Sequence, residues 1–262
     1  MIAVHFFKAG DITDAEIACV QSWIDIYGPE AVKIWTPTDV EAHRSVLGIP
    51  PEWDTVQTQY ENPSELFAIM SDIFRLCLGA APKALDGADW RVYADTDMFL
   101  VEEDLESLFP ENKDVVIGKA GEDFTTLTNA FMAYRPACPS MKELMRLMPG
   151  HAFSRRSYQF TQRFGSFFIS EFFLSGTPHR DRLEVLGPEA AYGYTIQERK
   201  DGFLLEASED GSRKMVHLWF RSWANMTYPQ NNEEVVNAIV SSVATERERR
   251  VQVETEEYST EE

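Results

Sequence analysis

The sequence predicts one α/β domain whose sheet begins with parallel strands and carries helices on its faces. Three observations predict it. At 262 residues and 44% hydrophobic composition the chain can bury a full core. A strand pattern, a capped helix and a second strand pattern follow one another between residues 2 and 37, which is the signature of a βαβ unit. Further β-prone runs and helical patterns then continue along the chain.

In the opening strand Ile2, Val4 and Phe6 alternate with Ala3, His5 and Phe7. In the next helix Thr13 and Glu16 form a capping box, Ile17, Val20 and Ile24 recur at helical spacing, and Gly28-Pro29 ends it. The second strand is "AVKIWTP". Residues 41–65 are polar and proline-rich, an irregular connection of unusual length, and long ordered loops are often functional. Asn62, Pro63 and Glu65 supply a cap, a first-turn proline and a capping-box acid for the helix "SELFAIMSDIFRLCLG". Leu66, Ile69, Met70, Ile73 and Cys77 share its apolar face. Asp72 flanks that stripe and Arg75 lies further round, so the two are neighbours on the polar side.

"RVYADTD" reads as a strand that ends on Asp95 and Asp97, and "DVVIG" and "NAFMAYRP" are β-prone runs after it. A helix follows in "CPSMKELMRLM", and the second half of "HAFSRRSYQFTQRFGSFFISEFFLSG" is helical. A late strand lies in "RKMVHLWFRSW" and a final helix in "NEEVVNAIVSSVATERERR". Residues 1–245 make the domain, and 246–262 form an acidic tail expected to be disordered.

The net charge of −19 argues against nucleic acid and anionic membrane surfaces as partners, since both demand cationic contact. Cys19, Cys77 and Cys138 lie far apart without CxxC spacing, so neither a disulfide framework nor a zinc site is suggested. There is no basic-then-apolar leader and no run near the roughly 18 apolar residues of a membrane span. The expectation is a cytoplasmic protein without a transmembrane segment, with peripheral membrane contact left open.

Asp95 and Asp97 are the one Asp-x-Asp pair in the chain. A strand-ending turn in an acidic protein is the plain explanation. The competing one is chemical: two carboxylates at the carboxyl end of a buried strand sit where open α/β sheets hold ligands. Their oxygens suit Mn²⁺ or Mg²⁺, which complete their shells with water and substrate phosphates.

"SDIFRLCL", then "VYADTDMFL" and "DLESL", resemble the DXD-motif sugar-transferase family, glycosyltransferase family 32. The order agrees elsewhere. "AVHFFKAGDITDAEIACVQSWIDIYGPEAVKIWTP" is similar to the family's opening, "NAFMAYRPACPSMKELM" to its Asn-x-hydrophobic segment, and "VHLWFRSW" to its closing His and Ser-Trp. The likeness spans most of residues 2 to 223. It departs where family members carry Gly-Gly directly before the Asp-x-Asp strand, because "LGAAPKALDGADWRVYADTD" has a longer connection and no such pair.

The resemblance implies a GT-A-like, Rossmann-like fold with a mixed, mostly parallel sheet. It implies a metal-dependent hexosyltransferase using a nucleotide-diphosphate sugar, a carbohydrate or glycolipid acceptor and retention at the anomeric carbon, in a surface-polysaccharide or glycolipid setting on the inner membrane face. Asp97 would bind the metal directly, and Asp95 would contact the donor and reach the metal through water. Asp72 and Arg75 would hold the sugar and its phosphate, the alternative being a surface ion pair. His217 is a further metal or phosphate ligand or a satisfied core residue. Asn129, on the strand end "LTNAF", bonds the donor or is an ordinary turn residue. Tyr93 packs beneath the site. Ser222 and Trp223 close over the diphosphate or belong to the core. Trp35 stacks on the base, with Phe6 and Phe7 as competitors. Two other readings stand beside this one. A degenerate transferase fold would bind nucleotide sugar or glycan without turnover. A phosphohydrolase of haloacid dehalogenase type needs an Asp on the first strand, which "MIAVHFF" lacks.

Overall fold

In chain order, β1 (Ile2–Phe7), α1 (Asp14–Tyr27) and β2 (Val32–Trp35) form the βαβ unit of this computed structural model, with β1 and β2 parallel. Short helices α2 (Pro37–Ala42) and α3 (Arg44–Leu47) follow, then α4 (Pro63–Ala80), β3 (Trp90–Ala94), β4 (Met98–Leu100), β5 (Val115–Lys119) and β6 (Leu127–Tyr134). The chain continues through α5 (Pro139–Ser154), α6 (Ser166–Leu174), β7 (Leu183–Leu186), α7 (Pro188–Tyr192), β8 (Met215–His217) and α8 over 233–241. The structure describes residues 1–51, 53–54, 63–101, 105–119, 126–154, 165–175, 178–193, 214–218 and 233–241. The proposed tail, the Asn62 cap and the Glu65 side chain lie outside them.

The main sheet has the order β2-β1-β3-β6-β5-β7, and a separate ribbon pairs β4 with β8. Of the six strands, β6 is the reversed one, antiparallel to both β3 and β5, while β1–β2, β1–β3 and β5–β7 are parallel. The sheet is therefore mixed and mostly parallel. Helices cover both faces, so β1 is buried at every position. Phe7, Tyr93, Ile117 and Met132 pack with α4, α5 and α6. Ile2, Val4, Phe6, Val92, Val116 and Phe131 pack with α1, α7 and α8.

Local chemistry explains most of the boundaries. Thr13 and Glu16 make the expected capping box of α1, and Gly28 takes φ +81° at its end, where only glycine is unstrained. The buried face of α1 differs from the expected stripe: Ala15, Cys19, Val20 and Trp23 are buried, whereas Ile17 is 47% exposed. Two residues are 200° of helix, so a face centred on Cys19 turns Ile17 outward. The connection after β2 is less irregular than the sequence suggested. Thr36 caps α2 with Asp39 in a second capping box and Pro37 in the first turn, and Gly48 ends α3 in the left-handed region.

At the other end of α4, Arg91 of β3 is wholly buried and donates from Nη1 to the carbonyls of Leu78 and Ala81 and from Nη2 to that of Pro82. Its Nε lies 2.6 Å from Asp86 Oδ2. His5 Nε2 is 3.1 Å from the same carboxylate, and Trp35 Nε1 donates to His5 Nδ1 at 3.0 Å. That bond makes Nδ1 the acceptor, so Nε2 carries the proton that faces Asp86. A buried guanidinium thus caps the helix with its charge balanced.

Candidate active site

The Asp-x-Asp segment is a turn between β3 and β4. Met98 N donates to Asp95 O at 2.9 Å, placing Thr96 and Asp97 at its centre. Asp95 N donates to Ala130 O of β6, and Leu218 N donates to Asp97 O, each at 2.9 Å. The turn lies at the carboxyl end of β3, as the sequence predicted. β8 runs alongside with Met98 opposite His217, and His217 Nε2 comes within 3.1 Å of Asp97 Oδ1. Asp95, Asp97 and His217 each offer a ligand atom within 4.8 Å of the others. Residues 120 positions apart thereby form one donor set.

Beside this set lies a buried polar network on α4. Arg75 is 4% exposed and Asp72 3%, so their side of the helix is not a solvated face. Arg75 donates from Nη2 to Asp95 Oδ1 at 3.3 Å and to Ser71 Oγ at 2.7 Å, from Nε to Ser71 O at 3.2 Å, and from Nη1 to Asn129 O. Its guanidinium lies 4.3 Å from the centre of the Tyr93 ring, a cation–π arrangement. The Tyr93 hydroxyl donates to Asp95 Oδ1 at 2.8 Å. Asp72 Oδ1 accepts from Asn129 Nδ2 at 2.7 Å and sits 3.4 Å from Arg75 Nη2. Ser166, at the start of α6, donates to Asn129 Oδ1 at 2.9 Å. Asp72 Oδ2 is buried with no hydrogen-bond partner among the described residues.

Burial sets the electrostatics. Loss of water pushes the Asp72 carboxyl up to about 6, with Asp95 adding to the rise and Arg75 and Asn129 opposing it. Burial also raises Asp95, against the pull of Arg75. Arg75 is disfavoured by burial, yet the groups around it more than offset this and hold its charge. Two carboxylates, Asp72 and Asp95, thus share one fixed cation while Asp97 lies beside Asp95, an arrangement that gains from a second cation.

No protein-family model matches the chain, and no curated protein matches its sequence. Solved structures share its fold. The galactosyltransferase LgtC, in complex with donor and acceptor sugar analogues, gives a TM-score of 0.51 at 9% identity over 92% of this chain and 96% of that one. The PaToxG glycosyltransferase gives 0.50 at 14% identity over 92% and 85%. The glycosyltransferase GlyE of Streptococcus pneumoniae TIGR4 gives 0.50 at 11% identity, with 95% of this chain matched to 63% of its own. The fold is GT-A-like.

Within this GT-A-like fold the structure brings together Asp72, Arg75, Tyr93, Asp95, Asp97, Asn129 and His217. It does not bring Phe6 or Trp35 to the cluster. Phe6 lies on the opposite face of the sheet from α4, fully buried with its ring centre 5.9 Å from that of Trp23. Trp35 is 1% exposed, with Phe74, His43 and His5 around it and Lys33 Nζ 3.5 Å from its ring centre. Ser222 and Trp223 lie outside the described residues. Among the described residues no helix is long and apolar enough to cross a membrane. Sequence reasoning missed Glu16 and Thr96, which hold the turn. Thr96 Oγ1 donates to Glu16 Oε1 at 2.7 Å. The capping-box spacing of Glu16 was legible; its bond to Thr96, 80 residues away, was not.

Proposed function

We propose that the chain is a metal-dependent glycosyltransferase that moves a hexose from a nucleotide sugar to a hydroxyl of a glycan or glycolipid. One observation carries the reading: the Asp95–Asp97–His217 donor set adjoins the buried Asp72–Arg75 pair at the carboxyl end of a central strand of a GT-A-like fold. Two carboxylates and an imidazole fit a divalent cation, and the mixed oxygen and nitrogen set favours Mn²⁺ over Mg²⁺. When bound, the ion supplies Lewis-acid stabilisation of the charge on a departing diphosphate.

The chain's own residues do the rest. Asp72 Oδ2 offers an acceptor to a sugar hydroxyl, because it is buried and lacks a partner among the described residues. Arg75 has most of its N–H groups engaged, so its task in this reading is to hold Asp72 and Asp95 in place, with one Nη1 proton unpaired among the described residues. Tyr93 and Asn129 fix those two carboxylates in turn. Retention at the anomeric carbon rests on the family resemblance.

The absent Gly-Gly pair favours the alternative of binding without turnover, but its position weighs against that alternative. The long connection enters β3 at its amino end, where Asp86 and Arg91 organise it, and the donor set lies at the carboxyl end. Five strand residues, about 17 Å, separate the two.

Thermal denaturation in the presence of nucleoside diphosphates and nucleotide sugars, with and without Mn²⁺, tests the reading. A ligand at about 100 times its dissociation constant adds about 2.7 kcal/mol. For a chain of this size that is roughly 5 °C or more. The reading expects such a shift for at least one nucleotide and only with Mn²⁺ present. No metal-dependent response to any nucleotide contradicts it.

A further inference from the structure

Glu16 is more elaborately built than a helix cap requires. A capping-box acid needs to accept one bond from the cap backbone, and Glu16 Oε2 does so from Thr13 N at 2.9 Å. An exposed Glu or Gln would serve. Here Glu16 is 5% exposed and its two oxygens lie 2.5 and 2.6 Å from Lys8 Nζ, itself 7% exposed. Burying two charges for one cap is a costly design, and the Thr96 contact is what the cap alone leaves unexplained. Burial would raise the Glu16 carboxyl, but Lys8, Thr13 and Thr96 more than offset this and keep it ionised as an acceptor.

Two more α1 side chains continue the contact along the same segment. Trp23 Nε1 donates to Met98 O at 2.9 Å, and Ser22 Oγ accepts from Leu100 N at 2.9 Å. β4 pairs with β8 along one edge, so α1 satisfies backbone groups on its other edge. Residues 96, 98 and 100 are thus each tied to α1, and the first tie falls between the two aspartates.

Resting on the function proposed above, we propose that Glu16 is a positioning residue for the metal site: through Thr96 it fixes the spacing of Asp95 and Asp97, while Lys8 holds its carboxylate in place. Outer partners of metal ligands typically set metal affinity by about 10–100-fold. The test is Mn²⁺ affinity without donor, read from the free-ion electron paramagnetic resonance signal, for wild type, Thr96→Val, Thr96→Ser, Glu16→Gln and Asp97→Ala. Thr96→Val keeps the branched shape and removes the donor, and Thr96→Ser restores it. The inference expects Thr96→Val to weaken Mn²⁺ binding about ten-fold or more at an unchanged fold by circular dichroism, Thr96→Ser to recover most of it, and Glu16→Gln to fall between. Affinity of Thr96→Val within about two-fold of wild type, with Asp97→Ala abolishing binding, overturns this inference alone. Wild-type protein that does not bind Mn²⁺ overturns it together with the function it rests on.

Discussion

Asp86 is a half-buried carboxylate and Asp72 a buried one, each beside an arginine, and their environments push them in opposite directions. Burial raises Asp86, but hydrogen bonds from His5 and Arg91 outweigh it and hold the carboxyl well below the usual range. A depressed acid contributes stability above its unfolded value of about 4, and that stability is lost as pH falls toward the folded value. Asp86→Asn strands the Arg91 charge in the core and is expected to cost about 3–5 kcal/mol at pH 7, with a smaller difference from wild type at pH 3. Urea denaturation at the two pH values checks this. Asp72 is raised instead, to about 6, so its ionisation opposes folding and stability falls between about pH 4 and pH 6. That rise is worth at most on the order of 3 kcal/mol. Metal-free Asp72→Asn is therefore expected to match or exceed wild-type stability at pH 8 in the same denaturation experiment, and to lose transfer activity. A marked loss of stability at pH 8 would mean that the pairing with Arg75 outweighs burial.

The elements legible in the sequence were those with a cap or a clear period. β1, α1, β2, α4 and β3 declared themselves by alternation, by Thr13 with Glu16, and by the apolar face from Ile69 to Cys77. The misses have physical causes. β7 has four residues and gains its strand character from pairing with β5, which no local pattern records. The Thr36-Pro37-x-Asp39 start of α2 was present in the sequence as a capping box and was read as the end of a strand. The polar side of α4 looked solvated because periodicity cannot register that β6, through Asn129, closes over Asp72. Packing at the far end of α4 gives a test of these contacts. A Cβ on Gly79 would come 2.7 Å from Met141 Cγ and 3.1 Å from Tyr134 Cγ, so α5 and β6 approach the helix too closely for alanine. Gly79→Ala gains about 1 kcal/mol of helix propensity and is expected to lose more to overpacking, for a net cost of about 1–2 kcal/mol. A thermal melt showing stabilisation would refute that close approach.

Among the described residues, the network that caps α4 and the candidate site occupy opposite ends of β3. The amino end of β3 carries the Asp86–Arg91 network that caps α4, and its carboxyl end carries the Asp-x-Asp turn. Four segments converge on that turn: α1 through Glu16, α4 through Arg75, β6 through Ala130, and the end of β8 through His217 and Leu218. The two aspartates were legible as a pair, and resemblance supplied Asp72, Arg75 and His217. The aromatic candidates Phe6 and Trp35 are buried away from the cluster, and a strand sequence does not tell which face meets a ligand and which meets a helix. The most direct test of the account is release of nucleoside diphosphate from a panel of nucleotide sugars, with Mn²⁺ and an acceptor mixture, by wild type and Asp97→Ala. The account predicts turnover of at least one donor by wild type, its loss on chelation, and a rate lower by about 10²-fold or more in the variant. Equal rates, or two proteins equally inactive while both still bind the donor, would contradict it.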